Sequence, residues 1–267
     1  LVVQDAIAVI GPFDGKGARA AARASKRAGM PMISLAPRGE SAASAFHVRH
    51  SAEERARALA RHAIEDGVKD FAIFAPQSSY GQIVGGAFAD EVKKLGGQIV
   101  VNASYPRGAT SFKDQMRQLK KPWSAIFIPD QAKSLALIAP ALAAANLNSR
   151  PKGEKAKHGR SVRLLSTAEG ISDTFLRQAG RYAWGAVFAP GFYADRTDTL
   201  IADFVSTYEE QYGAVPGAHE AYAFDAARLV QAAIADGATD RAGIVTALRS
   251  AQLPGLTGAI RFGADGR

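Results

Sequence analysis

Short apolar runs, several rich in β-branched residues, recur along nearly the whole chain, and each is followed by a stretch whose apolar residues repeat at helical spacing. Strands that alternate with helices in this way can pair only through long crossovers, so the pattern demands a parallel sheet with helices on its faces. Strands are predicted at 6–10, 31–35, 71–75, 98–102, 125–129, 162–166 and 185–189. Helical stripes lie between them. Ala56, Leu59, Ala60, Ala63 and Ile64 form one apolar face after Ser51, with Glu54 placed for a capping box and Gly67 as the stop. Val84, Phe88, Val92 and Leu95 form a second, closed by Gly96-Gly97, and Tyr222, Ala226, Leu229 and Ala233 a third, closed by Gly237. Around Leu135, Ile138 and Leu142, Pro140 removes a backbone donor and is expected to kink the helix or mark its true start.

A chain of 267 residues is long for one simple domain and comfortable for two lobes. Its 47% apolar and 22% charged residues match an ordinary globular core, and no apolar run reaches the roughly 18–20 residues that a membrane helix needs. The absence of cysteine removes disulfides, thiolate nucleophiles and Cys-based metal sites. The first residues, Leu1-Val2-Val3-Gln4-Asp5-Ala6, carry neither an initiator Met nor an export signal, and any such signal is expected upstream of them. A formal net charge of +8 could favour anionic partners, yet one dense basic cluster stands out, Arg150, Lys152, Lys155, Lys157 and Arg160 around Glu154. It lacks aromatic interleaving and any nucleic-acid module, so it reads as a solvated loop and no nucleic-acid partner is expected.

Motifs for chemistry are mostly missing. Gly11-Pro12-Phe13-Asp14-Gly15-Lys16-Gly17 follows a strand and opens a helix, but its spacing fits neither a P-loop nor a dinucleotide fingerprint. Contact with a ligand through the free amides of that helix start remains an expectation. At their spacing on a strand His47 and His50 would point to opposite faces, and no third His lies near them in sequence, so no metal site is predicted; nor does a Gly-x-Ser-x-Gly elbow surround any serine. What the chain does offer is a set of residues at the carboxyl ends of predicted strands, where open parallel sheets bind ligands. They are Lys16, Ala36, Arg38, Ser79, Tyr80, Asp130, Gln131 and Glu169, with Gly15 beside Lys16.

The order of segments resembles the type I periplasmic solute-binding fold, the group of the Leu/Ile/Val-binding proteins, over nearly the whole chain. The residues that carry the likeness are Ala8-Val9-Ile10-Gly11-Pro12, Met30-Pro31-Met32-Ile33-Ser34, 71–75 leading into Ser79-Tyr80-Gly81, Glu91-Val92-Lys93-Lys94-Leu95-Gly96-Gly97, Ala168-Glu169-Gly170 and Ala221-Tyr222-Ala223-Phe224-Asp225-Ala226. Within that group, Ile126-Phe127-Ile128-Pro129-Asp130-Gln131-Ala132-Lys133-Ser134, Leu137-Ile138-Ala139-Pro140-Ala141-Leu142 and Gly180-Arg181-Tyr182 look more like the penicillin-binding protein activator lipoproteins.

The resemblance implies two doubly wound parallel-sheet lobes with a hinge and an interlobe cleft. Lobe I would comprise 1–50 and 191–257, lobe II 51–190, and 258–267 would return to lobe II. It also implies a strand, a helix and another strand before Leu1. The chain departs from the amino-acid binders at Asp14-Gly15-Lys16-Gly17 and Leu35-Ala36-Pro37-Arg38, while Tyr80 and Glu169 fall where that family places a ring and an acid. The expected function is therefore non-catalytic capture of a small amino-acid-like or anionic solute, as the periplasmic substrate-binding component of an ABC transporter or as a sensor. No cofactor is expected. A membrane permease is the implied partner; the alternative is an envelope lipoprotein that docks on a penicillin-binding protein to regulate peptidoglycan synthesis. Lys16 and Arg38 would favour a carboxylate or phosphate, Tyr80 would stack on the ligand, and Glu169 would take an amine or pair with Arg38.

Overall fold

The computed structural model describes residues 6–37, 44–263 and 266. The chain divides into two compact units, unit 1 from Leu1–Ser51 and Gly191–Arg267, and unit 2 from Ala52–Pro190.

Unit 1 begins with β1 (Val9–Ile10), α1 (Gly15–Ala28), β2 (Met32–Ser34) and β3 (Ala45–His47). The three strands form a parallel sheet in the order β1-β2-β3. Their alternate residues serve two faces, as a period of two dictates. Met32 and Ala45 pack with Ala22 of α1 on one side, and Ile33 and Phe46 belong to the larger cluster on the other.

Unit 2 carries α2 (Ala52–Glu65), β4 (Asp70–Pro76), α3 (Ser79–Lys94), β5 (Gln98–Tyr105), β6 (Ala125–Phe127), α4 (Ala132–Ala144), β7 (Leu147–Ser149), β8 (Arg160–Thr167), α5 (Asp173–Ala179) and β9 (Val187–Ala189). All its strand pairs are parallel, in the order β5-β4-β6-β8, with β7 and β9 both pairing β8 at successive positions. Phe71, Ile73 and Ala75 of β4 join Ala125, Phe127 and Leu165 under α2 and α3, while Ala72 and Phe74 join Ile126, Ile128 and Leu164 under α4 and α5. Burial on both faces explains why these strands read as continuous apolar runs rather than alternating ones. The chain moves outward from β4 to β5 and then back past β4 to β6, so successive crossovers run in opposite directions. Right-handed crossovers then put α3 on one face and α4 and α5 on the other.

The rest of unit 1 is α6 (Thr199–Tyr212), α7 (Ala218–Ala235), α8 (Arg241–Ser250) and a hairpin of β10 (Gln252–Gly255) and β11 (Gly258–Arg261). Tyr222, Leu229, Ile244, Leu248 and Ile260 complete the cluster on Ile33 and Phe46. Here the structure departs from the sequence reading, which sent 258–267 back to the other lobe. The buried carboxylate of Asp225 on α7 accepts from Leu256 N (2.8 Å), Thr257 N (3.0 Å) and Thr257 Oγ1 (2.8 Å), and so clamps the turn between β10 and β11. His47 N also donates to Gly266 O at 2.8 Å, which sets Gly266 beside β3. Gly255 permits the clamp, since a Cβ there would lie 2.8 Å from Asp225 Oδ2.

A second difference concerns Pro140. Helix α4 runs through it without interruption from Ala132 to Ala144. Leu135, Ile138, Ala139 and Leu142 are buried on both sides of the proline, and that packing outweighs the one backbone hydrogen bond it removes.

Candidate functional site

The strand order of unit 2 fixes where a ligand can sit. With the short β7 left aside, β5-β4-β6-β8-β9 is the doubly wound order 2-1-3-4-5, which reverses direction between β4 and β6, and in such sheets ligands bind beyond the carboxyl ends of the strands at that switch point. A cavity of about 510 Å³ lies there. Ser79 and Tyr80 reach it from the end of β4, Arg107 to Thr110 from β5, Asp130 and Gln131 from β6, and Glu169 from β8.

The turn from β4 into α3 is narrow. Ser78 caps the helix by accepting from Gly81 N at 3.0 Å, and a Cβ on Gly81 would approach the Pro76 carbonyl oxygen to 2.3 Å. Because that obstacle is backbone, Gly81→Ala should destabilise the protein by about 1–3 kcal/mol in urea denaturation. A loss below about 0.5 kcal/mol would show that the turn yields.

Two carboxylates lie in the cavity and both are already engaged. Asp130 accepts from the Tyr105 hydroxyl at 2.8 Å and from Gln131 N at 2.7 Å. Burial, and then the charge of Asp130, pushes the Tyr105 phenol above its ordinary range and keeps it a donor. Glu169 forms an ion pair with Arg55 of α2, whose side chain is only 6% exposed, and accepts a long hydrogen bond from Tyr80 Oη at 3.4 Å. Burial pushes Glu169 up, but the Thr167 hydroxyl and the Arg55 charge outweigh it and hold the carboxyl below the usual range. Tyr80, 3.3 Å from Thr167 Oγ1, is pushed up to about 12 chiefly by burial, with the Glu169 charge adding to it. At neutral pH the site thus holds a neutral phenol beside a carboxylate compensated by a buried guanidinium.

The cations on the rim are different. Arg107 and Lys133 line the cavity and make no ion pair among the described residues. Ser78 to Tyr80 and Gln131 to Ser134 bring the first turns of α3 and α4 to the same space, where free backbone amides carry partial positive charge. Leu137, at 40% exposure, and Ala109 supply an apolar wall.

Of the residues expected from the sequence, Ser79, Tyr80, Asp130, Gln131 and Glu169 are therefore gathered in one cavity of unit 2. Gly15, Lys16 and Ala36 belong to unit 1, and Arg38 lies outside the described residues. Gly15 and Lys16 open α1, but Asp14 caps that helix by accepting from Gly17 N at 2.7 Å, so a carboxylate already occupies the position expected to receive a ligand. Ala36 is buried, and its amide donates to Ser34 Oγ at 3.3 Å. His50 is taken up by Thr257 O at 2.9 Å, and no group of three metal-ligating side chains occurs among the described residues. Sequence reasoning missed Arg55, Arg107 and Lys133. A signal existed for Arg55, which stands among Ala52, Ala56, Leu59 and Ala60 on the buried stripe of α2. A guanidinium on an apolar face announces a carboxylate partner.

Two units of parallel sheet flanked by helices, one with a cavity at its switch point where charged and polar side chains face an apolar wall, place the chain among α/β proteins with room for a small ligand. A sequence profile described as "periplasmic binding protein" matches residues 1–267, and the chain belongs to that family, a type I periplasmic binding fold. The structure is similar to a Rhodospirillum rubrum protein provisionally assigned to a branched-chain amino acid ABC transporter (24% identity, TM-score 0.82), covering 98% of this chain and 74% of that one. It is similar also to an ABC transporter substrate-binding protein from Desulfitobacterium hafniense in complex with Leu (25% identity, TM-score 0.70), over 97% of this chain and 74% of the other. A third likeness is to a solute-binding protein of an ABC transporter from R. palustris in complex with benzoate (17% identity, TM-score 0.66), over 99% and 72% of the two chains. Comparison with curated protein sequences finds no match.

Proposed function

We propose that this protein is the non-catalytic, substrate-binding component of an ABC-type transporter, which takes a small carboxylate with an apolar body and delivers it to a membrane permease. The observation that carries this reading is the charge state of the cavity. Glu169 is compensated by Arg55 and Asp130 is held by the Tyr105 hydroxyl and Gln131 N, so Arg107 and Lys133, joined by the first turns of two helices, outnumber the one carboxylate of the cavity that has no cationic partner. Leu and benzoate, bound by two of the similar proteins, share a carboxylate on an apolar body and little else. Glu169 is a poor acceptor for an amine here because Arg55 already pairs with it. Nothing in these comparisons favours the penicillin-binding protein activator reading.

The test is a thermal-shift panel at fixed ionic strength, with aliphatic and aromatic carboxylates, neutral amino acids and cationic amines. A carboxylate at 100 times its Kd should stabilise the protein by about 2.7 kcal/mol. Lys133→Gln should weaken that ligand about tenfold, as expected for loss of one charged hydrogen bond. Stabilisation by cationic amines alone would overturn the proposal.

A further inference from the structure

The loop from Arg150 to Arg160, which joins β7 to β8, contains a second concavity, of about 330 Å³, at the end of the sheet where β8 begins. Arg150, Lys155, Lys157 and His158 line it, together with Asn146 and Asn148. This is a braced loop. Lys152 reaches Asp66 at 3.4 Å, Trp184 Nε1 donates to Glu154 at 3.0 Å, Ala156 N donates to Ser161 Oγ at 2.7 Å, and Asn148 Nδ2 donates to His158 O at 2.9 Å. Backbone close-packing adds to these ties. A Cβ on Gly159 would stand 2.4 Å from Asn146 O, and one on Gly185 only 2.1 Å from Pro151 N. Asn146 itself is held at φ 59, a left-handed conformation that most residues avoid.

The charges do not cancel. Glu154 is the only carboxylate on the lining, and it is taken up by Trp184 and, at 3.7 Å, by Arg150. Lys155 and Lys157 are exposed and have no ion-pair partner among the described residues, whereas Lys152, which the sequence grouped with them, is spent on Asp66. We infer that this loop is a preformed anion site, separate from the strand-end cavity, which takes a phosphate group through Lys155 and Lys157. Like charges held about one concavity repel one another unless an anion sits between them, and a compact oxyanion can accept from two ammonium groups and an imidazole together.

Isothermal titration of the full chain with inorganic phosphate and with pyrophosphate, at constant ionic strength, tests the inference. The wild type should bind both, and Lys155→Gln/Lys157→Gln should lose at least about tenfold in affinity with an unchanged melting temperature. Lys120→Gln/Lys121→Gln, an equal charge loss elsewhere on the same unit, should bind as the wild type does. A parallel arm with phosphatidylglycerol vesicles separates the sources of phosphate. Binding of vesicles and free phosphate, both lost in the double variant, would assign the site to a lipid headgroup; binding of free phosphate alone would assign it to a soluble ligand. Binding of vesicles without free phosphate, no binding at all, or equal weakening in the two double variants would overturn the inference.

Discussion

Glu169→Ala is expected to cost about 3–5 kcal/mol of stability, because it leaves the Arg55 guanidinium, 6% exposed, buried without its carboxylate. The loss measures an orphaned charge, not the net worth of the ion pair. Arg55→Met/Glu169→Leu should therefore recover most of it, since an apolar pair of similar volume needs no compensation. Acid should mimic the single change. The carboxyl of Glu169 titrates below its reference value of 4.5 in the folded protein, so its contribution is complete above that value and declines as pH falls through the lower, folded one. Urea denaturation between about pH 6 and 3 should show wild-type stability falling towards that of Glu169→Ala, with a flatter profile in the double apolar variant. A cost below about 1 kcal/mol for Glu169→Ala would mean that water compensates Arg55.

Phe88→Ala should be comparably severe, at about 3–5 kcal/mol. Phe88 is fully buried, stacks on Phe127 with ring centroids 4.3 Å apart, and meets Phe71 edge-on at 5.6 Å. It thereby fastens α3 to β4 and β6, the two strands that flank the switch point. Chemical denaturation checks the size of the loss, and a cost below about 1.5 kcal/mol would mean that the core closes over the gap.

Phe88 also shows what could be read in the sequence. Val84, Phe88 and Val92 recur at helical spacing, and the structure buries all three. The central strands were equally plain, because parallel strands buried on both faces are unbroken apolar runs bounded by turns. Ala45–His47 and Leu147–Ser149 escaped notice because polar residues break them, His47 in one and Asn148 and Ser149 in the other, so neither reads as an apolar run. The hairpin of β10 and β11 was hidden for another reason. Its turn is held by Asp225, a residue of α7 that is distant in sequence, so no local pattern could announce it.

The candidate site divides along the same line. Ser79, Tyr80, Asp130, Gln131 and Glu169 could be listed together because alternating strands and helices dictate which loops share an end of the sheet. Their partners could not, since Arg55 meets Glu169, and Tyr105 meets Asp130, only through tertiary packing. That omission bears on function. Without Arg55, Glu169 reads as a free acid that awaits an amine; with it, the rim cations set the charge that a ligand must answer.

The most direct measurement of the central claim is a ¹⁵N–¹H titration of the full chain with the carboxylate that stabilises it most. The account predicts that the largest shifts fall on Ser79, Tyr80, Arg107, Gln131, Lys133 and Ser134, around the strand-end cavity of unit 2. Shifts concentrated elsewhere, with these amides unmoved at saturation, would contradict it.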